Sequence, residues 1–353
     1  MKIGVIASAR WPIKEPFAGG LEMHTHGLAT SLRKRGHDVT VFAAATSDPK
    51  LGVEPVCSQA SQLDLSNVAR QDLSAVVEPF MAEHHAYLHL MLRLMTDEFD
   101  LIQNNSLHYL PVAMAPAIKA PVVTTLHTPP TPWLESAVSS RREPSNTTYV
   151  SVSAQNGRSW MRAVNVRAVI PNGVDLNQWT FRMRPEEKTA MWFGRITPEK
   201  GTHLAIEAAH RAGFDITVAG PIGNADYFET HVKSSLKAGD LYTGHVTHTQ
   251  LNKLVGDAAV TMCTPCWDEP YGLVVAESLA CGTPVAAFDR GAMREILEEK
   301  SGTLAPPGNV DALAGAVVTA SSLSRSDCRQ RAESECSLTV MVDRYERLYT
   351  ELV

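Results

Sequence analysis

The clearest indication of the fold is the segment Cys263-Thr-Pro-Cys-Trp-Asp-Glu-Pro-Tyr-Gly-Leu-Val-Val-Ala-Glu-Ser-Leu-Ala-Cys-Gly-Thr-Pro-Val285. An apolar run ends near Thr264, a loop with Pro270 follows, and a helix is predicted to begin around Tyr271. Apolar residues then resume at Pro284–Phe288, as expected for a buried strand. A strand, a helix and another strand in this order make one unit of a parallel sheet covered by helices.

The same alternation continues along the whole chain and predicts an α/β protein. Strands are predicted at Lys2–Ala7, Asp38–Ala43, Leu101–Asn104, Val122–Leu126, Tyr149–Val152, Thr189–Phe193, Asp215–Ala219, Val260–Cys263 and Pro284–Phe288. Helices are predicted at Gly20–Arg35, within Asp72–Asp97, and at Gly201–Ala212, Thr247–Ala258, Tyr271–Ala280, Val310–Ala320 and Thr339–Leu352.

The length of 353 residues fits two domains of roughly 150 to 180 residues each. Pro and Asn-Gly interrupt the pattern at Ile170–Asp175, so we expect one doubly wound domain at 1–169 and another at 170–337. A helix at 338–353 follows them. In sheets of this kind ligands bind beyond the carboxyl ends of the strands, and the crevice between the domains is the expected site.

Composition narrows the class of function. Hydrophobic residues make up 44% of the chain, and the net charge of -6 offers no attraction to nucleic acid. Six scattered cysteines fit a reducing compartment, and Cys263 and Cys266 lack the further ligands that a zinc site needs. The N-terminal apolar run is too short for a signal peptide or a membrane span. We expect a soluble, cytoplasmic protein.

Two carboxylates in the opening segment are candidates for ligand binding. Glu269 precedes the predicted helix and Glu277 lies two turns into it, roughly 12 Å further along the axis. They are therefore too far apart to act as an acid and base on one bond, but they could hold opposite ends of an extended ligand as ionised acceptors. The free amides of Gly272, Leu273 and Val274 could bind a diphosphate between them. The alternative is a solvated helix carboxylate and a cap.

A second candidate element is Met191-Trp-Phe-Gly-Arg-Ile-Thr-Pro-Glu-Lys-Gly-Thr202, which follows a strand. Arg195 and Lys200 are placed where cations could stabilise a leaving diphosphate, although most such side chains are only solvated. Gly194 and Gly220 each end a strand, where the backbone could approach a ligand or simply turn.

The first domain contributes a glycine pair and a histidine. Gly19 and Gly20 open the first helix without a G-x-G-x-x-G pattern, which argues against a dinucleotide dehydrogenase. Glu22, His24 and His26 do not share one helical face, so no metal site is expected, and His24 is interpreted as partly buried. His127 follows a buried strand; a lone histidine is more often structural, but its place at a strand end favours function. Trp133, Arg141 and Arg142 follow as unspecific candidates for acceptor contact.

The opening segment resembles the donor-binding signature of retaining glycosyltransferase family 4. Both have Glu, seven residues and Glu, flanked by Pro, aromatic, Gly, Leu and by Gly-Thr-Pro-Val, with Cys266 where the family often has Ser. Phe193-Gly-Arg, four residues, Lys-Gly201 matches the same family. The resemblance implies a GT-B fold, two Rossmann-like domains of which the second binds the nucleotide sugar. It also implies that the C-terminal helix returns to the first domain.

The resemblance implies a role for each candidate residue. Arg195 and Lys200 would neutralise the diphosphate, Glu269 would bind sugar hydroxyls and Glu277 a ribose, and His127 would hydrogen-bond the transferred hexose. The remaining donor-binding positions are the phosphate-side Gly19, Gly20, Gly194, Gly220, Pro270, Tyr271, Gly272, Leu273 and Val274, and the base-side His245 and Val246.

The predicted reaction transfers a hexosyl unit from a nucleoside diphosphate sugar, UDP-linked or alternatively GDP-linked, to an acceptor hydroxyl with retention of configuration. No Asp-x-Asp is present, so no metal and no cofactor besides the donor substrate are expected. The acceptor would be a small molecule or a glycan; nucleic acid and peripheral membrane contact are not expected. The alternatives are a catalytically silent sugar-nucleotide-binding protein, or a related epimerase or phosphorylase.

Overall fold

A computed structural model of the chain describes residues 1–56, 66, 78–139, 146–185 and 189–353. The chain divides into two compact units. The first comprises Met1–Ser151, Ser159–Ala168 and Tyr345–Val353, and the second comprises Val152–Arg158 and Val169–Arg344. Cys57, the predicted helix start at Asp72, and the candidates Arg141 and Arg142 lie outside the described residues.

The first unit is built on a parallel sheet, which has seven strands among the described residues. Its strand order is β3-β2-β1-β4-β5-β6-β7, and β1 to β6 pair in parallel. The strands are β1 (Lys2–Ile6), β2 (Asp38–Ala43), β3 (Val53–Pro55), β4 (Leu101–Asn104), β5 (Val122–Leu126), β6 (Thr147–Ser151) and β7 (Val166–Val169). The helices are α1 (Gly20–Lys34), α2 (Glu78–Leu94), α3 (Tyr109–Met114), α4 (Pro132–Ser139) and α5 (Ala154–Trp160), the last shared with the second unit.

The second unit carries a six-stranded parallel sheet in its described part, in the order β10-β9-β8-β11-β12-β13. Its strands are β8 (Thr189–Phe193), β9 (Asp215–Ala219), β10 (Leu241–Tyr242), β11 (Val260–Cys263), β12 (Val285–Phe288) and β13 (Gly302–Ala305). Its helices are α6 (Thr202–Arg211), α7 (Ala225–Tyr227), α8 (His248–Asp257), α9 (Leu273–Ala280), α10 (Met293–Ile296), α11 (Val310–Ala320) and α12 (Arg325–Glu335). The C-terminal helix α13 (Leu338–Leu352) begins in this unit, and its last residues belong to the first.

The predicted α/β class is confirmed, and the central strands explain why it could be predicted. Strands β4, β5, β11 and β12 are buried at every position. Strands covered by helices on both faces are expected to be continuous apolar runs, because neither face meets water. The predicted bounds of β2, β4, β5, β8, β9 and β11 match the structure residue for residue.

The strand order reverses once in each sheet, and this reversal determines where ligands can enter. In the first unit the order turns between β1 and β4, and in the second between β8 and β11. The loops that leave two such strands diverge to opposite faces of the sheet and open a crevice at its carboxyl edge. The loop after β8 contains Arg195 and Lys200, and the loop after β11 contains Glu269.

Several short or polar elements were not predicted from the sequence. They are β3, β7, β10, β13, α3, α4, α5, α7, α10 and α12. Helix α9 begins at Leu273, two residues after the predicted start, because Gly272 takes a left-handed backbone conformation with φ of 103° and caps the helix. None of the helices described here is long and apolar enough to cross a membrane.

Candidate functional site

Two loops of the second unit are joined at the carboxyl edge of its sheet. The indole of Trp192 donates to the Thr264 hydroxyl over 3.1 Å, and that hydroxyl donates to the carbonyl of Gly201 over 2.9 Å. The amide of Cys266 donates to the carbonyl of Glu199 over 2.7 Å. The loops after β8 and β11 therefore form one connected structure at the point where the strand order reverses.

The joined loops bring together Lys200 and Glu269, which the sequence analysis identified in two separate segments. Nζ of Lys200 lies 2.5 Å from Oε2 of Glu269, and Nε1 of Trp267 donates to the same oxygen over 3.0 Å. The ammonium also lies 5.4 Å from the centre of the Trp267 ring, within the range of a cation–π interaction. Both charged side chains keep some exposure to solvent, 32% for Lys200 and 14% for Glu269, so a ligand can reach them.

The backbone of Glu269 is held from the loop after β12. The carbonyl of Glu269 accepts a hydrogen bond of 3.0 Å from the amide of Ala292. Gly291 packs so closely that a Cβ atom there would lie 2.2 Å from this carbonyl oxygen. Pro270 accepts a 2.6 Å hydrogen bond from the Ser153 hydroxyl. The position of Glu269 is thus fixed on both sides before any ligand binds.

Glu277 lies in the second turn of α9 and is only 7% exposed. No hydrogen bond or ion pair to its carboxyl is found among the described residues. Burial raises the pKa of Glu277 to about 8, because a carboxylate loses the water that stabilises its charge. The sequence-based interpretation treated this side chain as ionised, and the burial found here favours the neutral acid at pH 7 in the unliganded protein.

Arg195 differs from Lys200, because its side chain forms no ion pair or hydrogen bond with any residue that the structure describes. That side chain is exposed. The aliphatic stem lies over Gly223, where a Cβ atom would be 2.9 Å from Cγ of Arg195. With respect to the described residues the guanidinium is therefore unpaired beside the β8 loop, and it can bind an anion without breaking one of their contacts.

The other predicted donor-binding positions of this unit occupy three settings. Gly220 has φ of 141° and packs against Gly194, whose carbonyl oxygen would be 1.9 Å from a Cβ atom at Gly220. Leu273 and Val274 are partly exposed at the start of α9, whereas the ring of Tyr271 is buried in the core. After β10, His245 is exposed and Val246 packs against the same core.

In the first unit, His127 follows β5 and keeps partial exposure. Its Nε2 lies 3.4 Å from Oδ1 of Asn105, and its ring centre lies 4.7 Å from that of His24 in an edge-on contact. Burial, and then the electrostatic effect of the neighbouring His24, lower the pKa of His127 well below its usual value. Gly19 caps α1 and Gly20 is its first residue, as predicted.

The side chains considered for metal binding do not form a site. His24 is buried, and His26 instead lies 3.3 Å from Asp48. Cys263 is buried, and this burial raises the pKa of its thiol to about 12, whereas Cys266 is exposed. Over the described ranges no group of three or more His, Cys, Asp or Glu could hold a metal ion.

Two parts of the site were missed from the sequence. Trp267 contacts both Lys200 and Glu269, and its place two residues before Glu269 was the only available signal. A buried set of polar side chains supports His127, and the sequence shows it only as the polar run Gln103-Asn-Asn105 at the end of β4.

Solved structures identify the class of fold. A sucrose-phosphate synthase from Thermosynechococcus elongatus superimposes with a TM-score of 0.75 at 20% identity, over 100% of this chain and 99% of that one. The Anabaena HepE protein in complex with UDP-glucose gives a TM-score of 0.74 at 18% identity, over 99% of this chain and 100% of that one. Two parallel-sheet units of this kind define the GT-B fold of glycosyltransferases.

Sequence comparisons identify the family. Residues 18–178 match the family Glycosyltransferase Family 4, and residues 175–335 match Glycosyl transferases group 1. Glycogen synthase of Mycobacterium tuberculosis is 28% identical over 353 residues, covering 88% of this chain and 84% of that protein. Phosphatidyl-myo-inositol mannosyltransferase of Mycobacterium leprae is 29% identical over 359 residues, covering 90% and 87%. The chain belongs to glycosyltransferase family 4, and it is a glycosyltransferase enzyme.

Proposed function

We propose that this glycosyltransferase moves a hexosyl unit from a nucleoside diphosphate sugar to an acceptor hydroxyl, with retention of configuration and without a metal ion. The observation that carries the proposal is the group formed by Lys200, Glu269 and Trp267 at the reversal of strand order in the second unit. It combines a cation for phosphate with a fixed carboxylate for sugar hydroxyls, at the edge where such sheets bind nucleotides.

Charge stabilisation is the first role we assign. As the bond to the sugar lengthens, negative charge moves onto the departing diphosphate. The guanidinium of Arg195 is unpaired within the described ranges, and Lys200 has three donors of which Glu269 uses one. The partial positive charge at the start of α9, next to Leu273 and Val274, adds to both. Interactions that strengthen as this charge develops lower the barrier rather than merely tightening the ground state.

Recognition of the donor falls to the two glutamates. Glu269 accepts hydrogen bonds from sugar hydroxyls in our proposal, held in place by Trp267 and Ala292. Glu277 binds the ribose diol, either as a neutral acid or as an anion whose charge hydroxyl donors stabilise. The base is bound near His245 and Val246, and the phosphates approach the backbone at Gly19, Gly20, Gly194, Gly220 and Gly272.

The chemical step then requires no protein nucleophile. The acceptor hydroxyl attacks the anomeric carbon from the face that the diphosphate leaves, and the departing phosphate oxygen takes the hydroxyl proton. His127, neutral because its pKa is low, hydrogen-bonds the transferred hexose. Arg195 and Lys200 supply the charge that a metal ion would otherwise provide, which is the basis for proposing metal independence.

Among nucleotides we favour a UDP-sugar, with a GDP-sugar as the alternative. The HepE protein of the same fold is described in complex with UDP and with UDP-glucose. The decisive experiment is a thermal-shift series with UDP, GDP, ADP and their sugars, since a ligand that binds the folded state raises the Tm by mass action. A rise with UDP and UDP-glucose supports the proposal, and no rise with any nucleotide overturns it.

Metal independence and retention are tested on turnover. We expect transfer, or slow hydrolysis of the donor, to continue at an unchanged rate in excess EDTA. Loss of activity with EDTA and its return with Mn²⁺ would contradict the metal-free step. Proton NMR of the first product formed distinguishes an α-linked from a β-linked sugar, and inversion of the anomeric centre would refute retention.

A further inference from the structure

Beneath His127, buried amide and hydroxyl groups of the first unit form one hydrogen-bonded network. Its members are each no more than 2% exposed, and they are Thr25, Gln103, Asn105, Thr125, Tyr345 and Tyr349. A hydroxyl has a single proton, and a carboxamide has a distinct donor end and acceptor end. The directions of the bonds at Thr25, Asn105 and Gln103 can therefore be worked out from the network itself, whereas either hydroxyl of the Thr125–Tyr345 pair, 2.9 Å apart, can be the donor.

The direction is set at helix α1. The hydroxyl of Thr25 lies 2.9 Å from the carbonyl oxygen of Leu21, which can only accept, so the Thr25 proton points there. The amide of Asn105 lies 3.2 Å from the same hydroxyl. Because the proton of Thr25 is already used, Thr25 must accept from Asn105. Nδ2 of Asn105 therefore faces Thr25, and Oδ1 faces the opposite way.

The C-terminal helix closes the other end. Nε2 of Gln103 donates to Oδ1 of Asn105 over 2.7 Å and lies 2.9 Å from the hydroxyl of Thr125. Oε1 of Gln103 then faces α13, where the hydroxyl of Tyr349 donates to it over 2.8 Å. Reversing either carboxamide would leave two donors or two acceptors opposed in a buried place, which costs free energy.

His127 meets the acceptor end of this network. Its Nε2 lies 3.4 Å from Oδ1 of Asn105, a long contact in which an unprotonated nitrogen would oppose lone pair to lone pair. The low pKa of His127, caused by burial and by the neighbouring His24 ring, leaves one proton to share between the two ring nitrogens at pH 7. No hydrogen bond to Nδ1 occurs among the described residues.

We propose that the network holds His127 as the tautomer protonated at Nε2, leaving Nδ1 as a bare acceptor that binds a sugar hydroxyl and disfavours a sugar carboxylate. Thr25 and Tyr349 are then positioning residues, which act through Asn105 and Gln103. The part that concerns the sugar rests on the proposed function. It predicts that the transferred unit is a neutral hexose and not a hexuronate, because two acceptors cannot form a hydrogen bond.

The tautomer can be measured without any substrate. In long-range proton–nitrogen NMR spectra of the ¹⁵N-labelled full chain at pH 7, the signals of His127 are identified by their loss in His127→Gln. We expect Nε2 to show the shift of a protonated ring nitrogen and Nδ1 that of an unprotonated one. A proton on Nδ1, or averaged shifts from two exchanging tautomers, would overturn the proposal. The spectra of the wild-type protein are sufficient for this test.

A matched pair of variants tests the positioning role. Thr25→Val removes the acceptor for Nδ2 of Asn105 and leaves the bond from Gln103 as the contact that orients this amide. The reversed orientation should then become more populated, and the His127 nitrogen shifts should move part of the way toward an average of two tautomers. Thr25→Ser keeps the hydroxyl and should keep the wild-type pattern. If Thr25→Val is folded and leaves the His127 shifts unchanged, Thr25 does not set the tautomer.

The final comparison uses the donors UDP-glucose and UDP-glucuronate in calorimetric titrations. We expect the wild-type protein to bind UDP-glucuronate about tenfold more weakly, which a single unfavourable acceptor contact would cause. If NMR finds His127 protonated at Nε2 but the two donors bind with equal affinity, His127 does not select a sugar hydroxyl over a carboxylate. If neither UDP nor any nucleotide sugar binds, the proposed function fails while the NMR result on His127 stands by itself.

Discussion

The ammonium of Lys200 lies 2.5 Å from the carboxylate of Glu269, although the two residues are 69 positions apart in the chain. Each belongs to a different loop, and the loops meet because β8 and β11 are neighbours at the reversal of strand order. In the unliganded protein the positive charge of Lys200 is thus already paired. A diphosphate that binds here adds to an existing pair and does not enter an isolated positive site.

Lys200→Ala should weaken nucleotide binding more than loss of one cation alone would suggest. The variant removes a phosphate-binding group and leaves the carboxylate of Glu269, which is 14% exposed, to repel the diphosphate. We expect the Kd for UDP, measured by calorimetric titration, to rise at least tenfold, or about 1.4 kcal/mol. The control is Lys233→Ala, which removes an exposed lysine paired with Glu229. Equal UDP affinity in all three proteins would contradict the assignment of Lys200.

Burial of Glu277 should make the stability of the protein depend on pH. Its pKa is about 8 in the folded protein and near 4.5 in the unfolded chain, so the folded state binds the proton more tightly. The stabilisation from this group is complete below about pH 4.5 and is lost as the pH rises through about 8. Glu277→Gln lacks that dependence. We expect the difference between the Tm of Glu277→Gln and that of the wild-type protein to shift in favour of the variant as the pH rises from 5 to 8.

The matched control is Glu299→Gln, since Glu299 is an exposed carboxylate on the same unit. Scanning calorimetry at pH 5, 6.5 and 8 should show parallel curves for this variant and the wild-type protein. If the Glu277→Gln curve is also parallel to that of the wild type, the carboxyl titrates normally and is not desolvated. Glu277→Gln should still lose affinity for UDP, because the amide changes the hydrogen bonds offered to a ribose.

Sequence reasoning predicted the central strands well and the edges poorly, for a physical reason. A strand such as β12 (Val285–Phe288) is buried at each position and is apolar throughout, because neither face meets water. At the edge of the first sheet, β7 alternates partly buried and exposed residues, and in the second sheet β10 has only two residues. Helix α12 is strongly polar and lacks an apolar stripe. Local pattern carries little information for such elements.

The candidate site shows the same division between local and distant information. The resemblance to family 4 picked out Lys200 and Glu269, but their contact depends on strand order, which no single segment encodes. The support of His127 depends on Thr25 and Tyr349, which lie far from it in sequence and have common residue types. The burial of Glu277, which raises its pKa to about 8, could not be predicted from the sequence. Roles of residue types could be predicted, whereas pairings and protonation required the fold.

Gly220→Ala should disrupt the carboxyl ends of β8 and β9, where we propose that the donor binds, through the backbone. A Cβ atom there would lie 1.9 Å from the carbonyl oxygen of Gly194, which cannot move without parting the ends of β8 and β9. Gly213→Ala is the control, because Gly213 also has a positive φ, 75°, but has no atom within 4 Å of the added carbon. Gly213→Ala should cost about 1 kcal/mol of stability from strain alone. We expect Gly220→Ala to lower the Tm and the affinity for UDP more than Gly213→Ala does. If the two variants have similar effects, the contact with the Gly194 carbonyl does not restrict residue 220.

Arg325 should be a structural and not a catalytic arginine. It is 7% exposed, and its guanidinium donates to the carbonyls of Arg182, Ala258 and Gly256 and to the hydroxyl of Thr283 over 2.7 to 2.9 Å. Arg325→Met fills similar space but leaves these buried acceptors without donors, at a cost on the order of 3 kcal/mol. Burial also lowers the pKa of this guanidinium, as expected for a charge removed from water.

Calorimetry of Arg325→Met should therefore show a lower Tm for the second unit, with UDP affinity unchanged below the transition. Arg294→Met provides the comparison, since Arg294 is 73% exposed and pairs with Asp289 at the surface, where an ion pair contributes little. If folded Arg325→Met binds UDP more weakly, the hydrogen bonds of Arg325 also position the residues that bind the donor. An unchanged Tm would show that water replaces the guanidinium at the acceptors, and the structural role would then have to be withdrawn.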